Sequence, residues 1–291
     1  MKSPEYIRYT DREFRTEFLS DMERDCQIPG AEDGHLRVSY DPARYDFRSL
    51  IAEEFLEKGI LQNRSHVDAV SANFESLHQY VAPEEQILDN TQHNAAAVAL
   101  YGIRKSFLEL YVEFLKDVIA PALGMGGLHW QKHPTFRVFF PESKGYPGKT
   151  TYHSDIMLGH NPREINVFLP LTSCEGSRSL LMGPLGQSLE LLSDCKYDFT
   201  SFAEHVQTNE DTQKPLASMC KPLVMGVGEV LIFDSRCLHA GPPNLTDKSR
   251  LTVDFRLLAK DDIENQQNQY RGTGRTKALF APSGAFTEDT L

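Results

Sequence analysis

Apolar positions recur at two different periods along this chain, and the period changes near residue 125. Before that point the spacing is helical. Asp11 to Asp25 carries Phe14, Phe18, Leu19 and Met22 on one stripe, and Phe47 to Leu61 carries Leu50, Ile51 and Phe55 in the same manner. A longer helical pattern runs from about Glu84 to Ile119 through Leu108, Leu110, Tyr111, Phe114, Leu115 and Ile119, until Pro121 and the Gly124 to Gly127 cluster stop it. After Gly127 come short runs rich in β-branched and aromatic residues, separated by Pro, Gly and Asn: Thr135 to Phe140, Glu164 to Leu171, Val230 to Phe233 and Leu251 to Leu258. The pattern predicts a mainly β sandwich or barrel with a helical buttress, in one domain over residues 1–291. Its parts are a helical stretch over 1–125, a β core over 126–260, and a polar tail over 261–291. Tyr270, Leu279, Phe280 and Phe286 are the tail's anchors if it is a lid or a partner arm rather than loose chain.

Two of the strand-like runs are wholly apolar on one face and carry polar residues on the other. In Ile165-Asn166-Val167-Phe168-Leu169 the residues Ile165, Val167 and Leu169 alternate with Asn166 and Phe168, so a polar amide points away from the core. In Arg250 to Arg256 the residues Leu251, Val253 and Phe255 alternate with Arg250, Thr252, Asp254 and Arg256. One face belongs to a core and the other to a site. Arg137 lies on a third such strand.

The residues that carry chemistry fall beside these strands. A strand-like segment Tyr152-His153-Ser154-Asp155, after the Pro147-Gly148 turn, puts His153 and Asp155 on one face. A buried strand from Gly226 to Asp234 leads to His239 and the loop Gly241-Pro242-Pro243-Asn244. Two imidazoles and one carboxylate on one face of an octahedron leave three positions open, the arrangement that suits iron(II) and oxygen chemistry. Arg250 lies eleven positions after His239, far enough for the chain to turn and return as a neighbouring strand. Its guanidinium is a planar, permanently charged clamp for a carboxylate, and Thr252 adds a hydroxyl donor. Asn166 is placed to bond the same co-substrate, the substrate or nearby backbone. Arg137 and Arg256 are expected either to bind an anionic or polar substrate or to form buried ion pairs with Asp254 or Glu164. His160 reads as a substrate or supporting group, or as a structural histidine; His129 and His133, flanking Trp130, read as packing residues. Asp234 reads as a turn residue rather than a ligand.

Taken together, His153-x-Asp155, His239 and Arg250-x-Thr252 resemble the phytanoyl-CoA-hydroxylase-like superfamily of 2-oxoglutarate oxygenases. The run Arg137-Val138, Gly159-His160, Glu164-Ile165-Asn166, Leu169-Pro170-Leu171-Thr172 and Ser249 to Arg256 is similar to its streptomycin-biosynthesis oxygenase-like branch. The similarity covers about Gln131 to Leu258. It implies a double-stranded β-helix, or jelly roll. It also implies iron(II) at His153, Asp155 and His239, 2-oxoglutarate on Arg250, and dioxygen as the oxidant. Retention of Asp155 implies hydroxylation rather than halogenation, with desaturation, cyclisation and epimerisation open to the same chemistry. The branch implies a small polar natural product or metabolite as substrate. The rival reading from another class is a non-catalytic jelly-roll protein that binds a metal or ligand; a cupin-like enzyme without 2-oxoglutarate would more often show His-x-His and no arginine clamp.

Composition narrows the partners. A net charge of −11 argues against a surface that neutralises phosphates, so nucleic acid is not expected, whereas a polar or cationic small molecule is compatible with it. Residues 1–14 have no apolar signal region and no apolar stretch is long enough to span a bilayer, so a cytoplasmic protein with no membrane partner is expected, its oligomeric state left open. Five cysteines without Cys-x-x-Cys spacing read as reduced thiols.

Overall fold

The computed structural model describes residues 20–88, 93–141, 152–158, 160–260 and 262. Phe14, Phe18, Leu19, the Pro147-Gly148 turn, Gly159 and the tail after Asp262 lie outside the described residues. Of the first expected helix, residues 20–23 are helical and Met22 is buried.

The N-terminal part contains strand β1 (His35–Ser39) and helices α1 (Phe47–Glu57), α2 (Arg64–Ala72), α3 (Ala95–Ala99) and α4 (Lys105–Phe114). A π-helical turn over Leu115–Ile119 carries α4 into α5 (Ala120–Leu123). Side-chain oxygens start these helices: Asp46 accepts from Ser49 N, Asn63 from His66 N and Asn94 from Ala97 N, each bond worth about 1 kcal/mol. Gly124, at φ 58°, ends α5 in the left-handed conformation. The long helix expected from Glu84 to Ile119 is instead broken. Its apolar spacing continues through Leu100 and Ile103, both buried, but Gly102 takes φ +75° between them and the backbone turns before α4 begins. Burial, not helical phase, accounts for that part of the stripe.

The second part holds β2 (Leu128–Trp130), β3 (Thr135–Phe139), β4 (Ile165–Pro170), β5 (Leu181–Met182), helices α6 (Leu185–Asp194), α7 (Phe199–Thr208) and α8 (Glu210–Met219), then β6 (Lys221–Pro222), β7 (Glu229–Asp234), β8 (His239–Ala240) and β9 (Arg250–Ala259). Among the described residues the strands form two antiparallel sheets. A six-stranded sheet runs β1-β7-β4-β9-β2, with β3 also on β9, and a three-stranded sheet runs β6-β5-β8. This is the sheet-rich jelly-roll core. The helices α6 to α8 inside it were not expected, although Leu189 and Leu192, and Phe199, Phe202 and Val206, have helical spacing.

Alternation along the strands divides the major sheet. Ile165, Val167 and Leu169 of β4, Val230 and Ile232 of β7, and Leu251, Val253, Phe255 and Leu257 of β9 pack against α1, α2 and α4 in the main core. Phe47, Phe107 and Phe114 meet there at ring-centroid distances of 5.3 and 5.4 Å. Full burial of one such side chain stabilises the fold by about 1.5–3 kcal/mol. The opposite face supplies Phe168, Leu231 and Phe233, which join Met182 of β5 and Cys237 in a smaller cluster between the sheets. Gly34 lets three elements meet beside it. A Cβ there would lie 2.7 Å from Leu185 Cβ and 2.9 Å from Cys237 Sγ, and its φ of +85° favours glycine.

Candidate metal centre

His153 and His239 are brought together by backbone pairing. His153 N donates to His239 O at 3.0 Å and His239 N donates to His153 O at 2.8 Å, an isolated antiparallel bridge. The imidazole centroids are 4.5 Å apart. The expected strand over Tyr152 to Asp155 is reduced to this bridge, because Asp155 opens a 3-10 turn, Asp155–Leu158. Asp155 therefore reaches the histidines from a turn rather than from strand alternation. Its amide donates to Ser235 O at 3.2 Å, which holds that turn against the end of β7. One donor atom from each of His153, Asp155 and His239 lies within 4.8 Å of the others.

These donors suit a divalent transition metal. His239 Nδ1 is 3.0 Å from the Cys237 carbonyl, a contact that places the proton on Nδ1 and leaves Nε2 as the lone-pair donor. His239 Nε2 lies 3.6 Å from Asp155 Oδ1. Burial alone would raise the Asp155 carboxyl, but Arg256, then His160, His239 and His153, outweigh it and hold the group well below the usual carboxylate range. A buried anion facing two imidazoles is the electrostatic setting for a cation.

The polar face of the sheet supports this cluster. Register aligns Phe233 of β7, Asn166 of β4 and Arg256 of β9 across the sheet. Asn166 Nδ2 donates to Asp155 Oδ2 at 3.0 Å, and Arg256 donates to the same oxygen from Nε at 3.1 Å and Nη2 at 2.8 Å. His160 Nδ1 is 2.8 Å from Glu164 Oε2, and its amide donates to the Asp155 carbonyl at 3.2 Å.

Arg250 sits at the other end of β9, six residues or about 20 Å of extended chain from Arg256. It is buried, with Cζ 4.0 Å from the Phe139 ring centroid and Nη1 donating to Ser179 O at 3.0 Å. Ser179 precedes β5, whose Met182 pairs with His239, and Arg250 Nη2 lies beside Gly241, two residues after His239. Arg250 thus reaches from the major sheet to the chain segments that flank β5 and β8 of the minor sheet. The Phe139 platform and the Ser179 carbonyl were not legible as its partners; the register of β3 on β9, which sets Phe139 opposite Arg250, is the signal that contains the first.

The remaining expected residues separate into ion pairs. Arg137 Nε is 2.5 Å from Asp254 Oδ2 and the arginine is half exposed. Thr252 Oγ1 donates to Asp254 Oδ1 at 3.4 Å. Arg256 bonds Asp155, with Glu164 Oε2 at 3.6 Å. The expected buried ion pair is seen for Arg256, with Asp155 and Glu164, whereas the Arg137 pair with Asp254 is half exposed. Asp234, at the end of β7, pairs with the buried Arg236 at 2.7 Å. All five cysteines are free thiols.

Comparison with known proteins gives three findings. A family model described as phytanoyl-CoA dioxygenase (PhyH) matches residues 57–252. The streptomycin biosynthesis protein StrG of Streptomyces griseus is 26% identical over 159 residues, which is 51% of this chain and 60% of that protein, so the chain spans less than two thirds of the length of this curated relative. Solved structures with likeness include the non-heme alpha ketoglutarate dependent carbocyclase SnoK from nogalamycin biosynthesis, at 13% identity, 88% and 87% coverage of the two chains and TM-score 0.43. EctD from S. alaskensis with bound Fe is another, at 13% identity, 98% and 91% coverage and TM-score 0.46. Among the described residues no helix is long and apolar enough to cross a membrane.

Proposed function

Because the chain belongs to the phytanoyl-CoA dioxygenase family, whose oxygenases use iron(II) and 2-oxoglutarate, we propose that it hydroxylates a C–H bond of a small polar natural product or metabolite. The proposal assigns His153, Asp155 and His239 as the iron ligands, and succinate and carbon dioxide leave as co-products. The observation that carries it is the convergence of two imidazoles and one ionised carboxylate within 4.8 Å, in a wall of the jelly roll. Iron with 2-oxoglutarate and dioxygen supplies the oxidising power that no side chain has.

The chain's own residues bind, orient and exclude water. Arg250 is assigned to the distal carboxylate of 2-oxoglutarate: its guanidinium carbon is held 4.0 Å over the Phe139 ring, so little side-chain entropy remains to be lost on binding. Thr252 lies on the same face and adds a hydroxyl beside it. Asn166, His160 and Arg256 act on Asp155 and its surroundings, which leaves the half-exposed Arg137, paired with Asp254, as the arginine nearest a substrate role. Phe168, Leu231 and Phe233 keep the space between the sheets apolar.

Anaerobic titration with iron(II) and then 2-oxoglutarate tests the reading. A weak visible charge-transfer band that is absent in His239→Ala is the expected result; iron binding without the band would favour a metal protein that does not use 2-oxoglutarate. In later substrate screening, a product that gains one oxygen atom supports hydroxylation, and a product that loses two hydrogens, or keeps its mass, assigns desaturation or cyclisation, or epimerisation, instead.

A further inference from the structure

Arg256 and Asn166 together use up one oxygen of a carboxylate. Three N–H groups, Nε and Nη2 of Arg256 and Nδ2 of Asn166, point at Asp155 Oδ2 at 3.1, 2.8 and 3.0 Å. A carboxylate oxygen offers about two lone-pair sites, so Oδ2 has none left for a cation. The other oxygen, Oδ1, is the one that faces His239 Nε2 at 3.6 Å. Arg256 is itself held: Glu164 Oε2 lies 3.6 Å from its Nε, His160 Nδ1 lies 2.8 Å from the same carboxylate oxygen, and the His160 amide donates to the Asp155 carbonyl at 3.2 Å. The four residues close a ring that begins and ends on Asp155.

Resting on the metal-centre reading above, we infer that Arg256 is a positioning residue: with Asn166 it dedicates Asp155 Oδ2 to the protein and presents Oδ1 alone to the metal. The consequence is a one-oxygen carboxylate ligand whose plane is set before metal arrives. A carboxylate free to rotate would offer both oxygens and occupy an additional coordination position. The planar fork matters more than the charge. A lysine at 256 would keep the cation but deliver one point donor in place of two N–H groups in a fixed plane. Asn166 contributes the third donor from the neighbouring strand, at a register position directly opposite Arg256. An ionised carboxylate only accepts, so it is the amide N–H group of Asn166, not its carbonyl, that the Asp155 contact uses.

The test is Mn(II) affinity by calorimetry, with the visible spectrum of the Co(II)-loaded protein and the melting temperature of the apo protein measured alongside. Arg256→Lys is expected to bind Mn(II) about 10–100-fold more weakly, with a changed Co(II) spectrum and an apo melting temperature near that of the native chain. Asn166→Ala shifts affinity and spectrum in the same direction by less. Native-like Mn(II) affinity and Co(II) spectrum in Arg256→Lys overturn the inference while leaving the metal centre intact. If Arg256→Lys does not fold, Asn166→Ala decides in the same way, because it leaves the cation in place. A native chain that binds no Mn(II) overturns the metal-centre reading and this inference with it.

Discussion

The two faces of strand β9 put adjacent residues to opposite uses. Leu251, Val253, Phe255 and Leu257 point into the helix-backed core and are almost fully buried, while Arg250, Thr252, Asp254 and Arg256 point the other way and each meets a named polar partner. On the apolar face, energy comes from area and close packing, and it is spread over many neighbours. On the polar face it comes from a few directed contacts, and removing one partner strands another buried group. The sheet thus separates what holds the protein together from what the site does, at a distance of one residue along the chain.

Substitutions at the two extremes should break that symmetry in opposite ways. His239→Ala removes a proposed ligand but keeps the backbone bridge to His153, so metal binding and turnover should both fall to background while apo stability stays near that of the native chain; calorimetry with Mn(II) and thermal melting measure the two. Retained metal binding would move the centre elsewhere. Phe255→Ala does the reverse. Phe255 packs on Tyr111 at 5.0 Å in the core, and truncation should cost about 3–5 kcal/mol in urea denaturation while the folded protein keeps its Mn(II) affinity. A matching loss of metal affinity would show that the two faces are coupled through β9. Arg250→Ala is the finer probe: losing charged hydrogen bonds worth about 1.5–3 kcal/mol should raise the 2-oxoglutarate needed for half-saturation roughly 10–100-fold, with metal affinity unchanged. An unchanged requirement would move the clamp to Arg137, since Arg256 is engaged with Asp155.

The same division explains what was legible in the sequence. Period-two alternation is a local property, so the buried and site-facing sets of β4 and β9 could be assigned from residue type alone, and the structure keeps both. The cluster of His153, Asp155 and His239 was legible because two histidines and a carboxylate are unusual in combination, and their donor atoms do converge within 4.8 Å. Turns were not: Asp155 meets the histidines from a 3-10 turn held by Ser235, a long-range backbone bond that no spacing encodes. The break at Gly102 was hidden because buried Leu100 and Ile103 continue an apolar stripe. Helices α6 to α8 were overlooked because the strands on either side set the expected texture. The Arg256 contact with Asp155 was not legible either, because it is a side-chain bond from β9 to the 3-10 turn between residues 101 positions apart.

The smallest expected effect lies at the joint between the helical part and the sheet, and it is a pH effect. Glu75 accepts from Ser173 N at 3.2 Å and meets Arg178 at 3.1 Å and Lys248 at 3.0 Å, while its carbonyl takes the Ser249 amide, directly before Arg250. Burial alone would raise this carboxyl; the bonds from Lys248, Ser173 and Arg178 lower it to about 2 from an ordinary 4.5. A depressed folded-state value means that the charged form carries the stabilisation. The contribution is complete above about pH 4.5 and is lost as pH falls from there toward 2. Solvent and the flexible Lys248 screen the group, so about 1 kcal/mol is expected rather than the full linkage value. Glu75→Gln should therefore lower stability by that amount at pH 7 and flatten the acid limb between pH 4.5 and 2, as read by urea denaturation across pH. An acid limb unchanged in the variant would remove Glu75 from the acid response and leave it as a neutral hydrogen-bonding tie between helix and sheet.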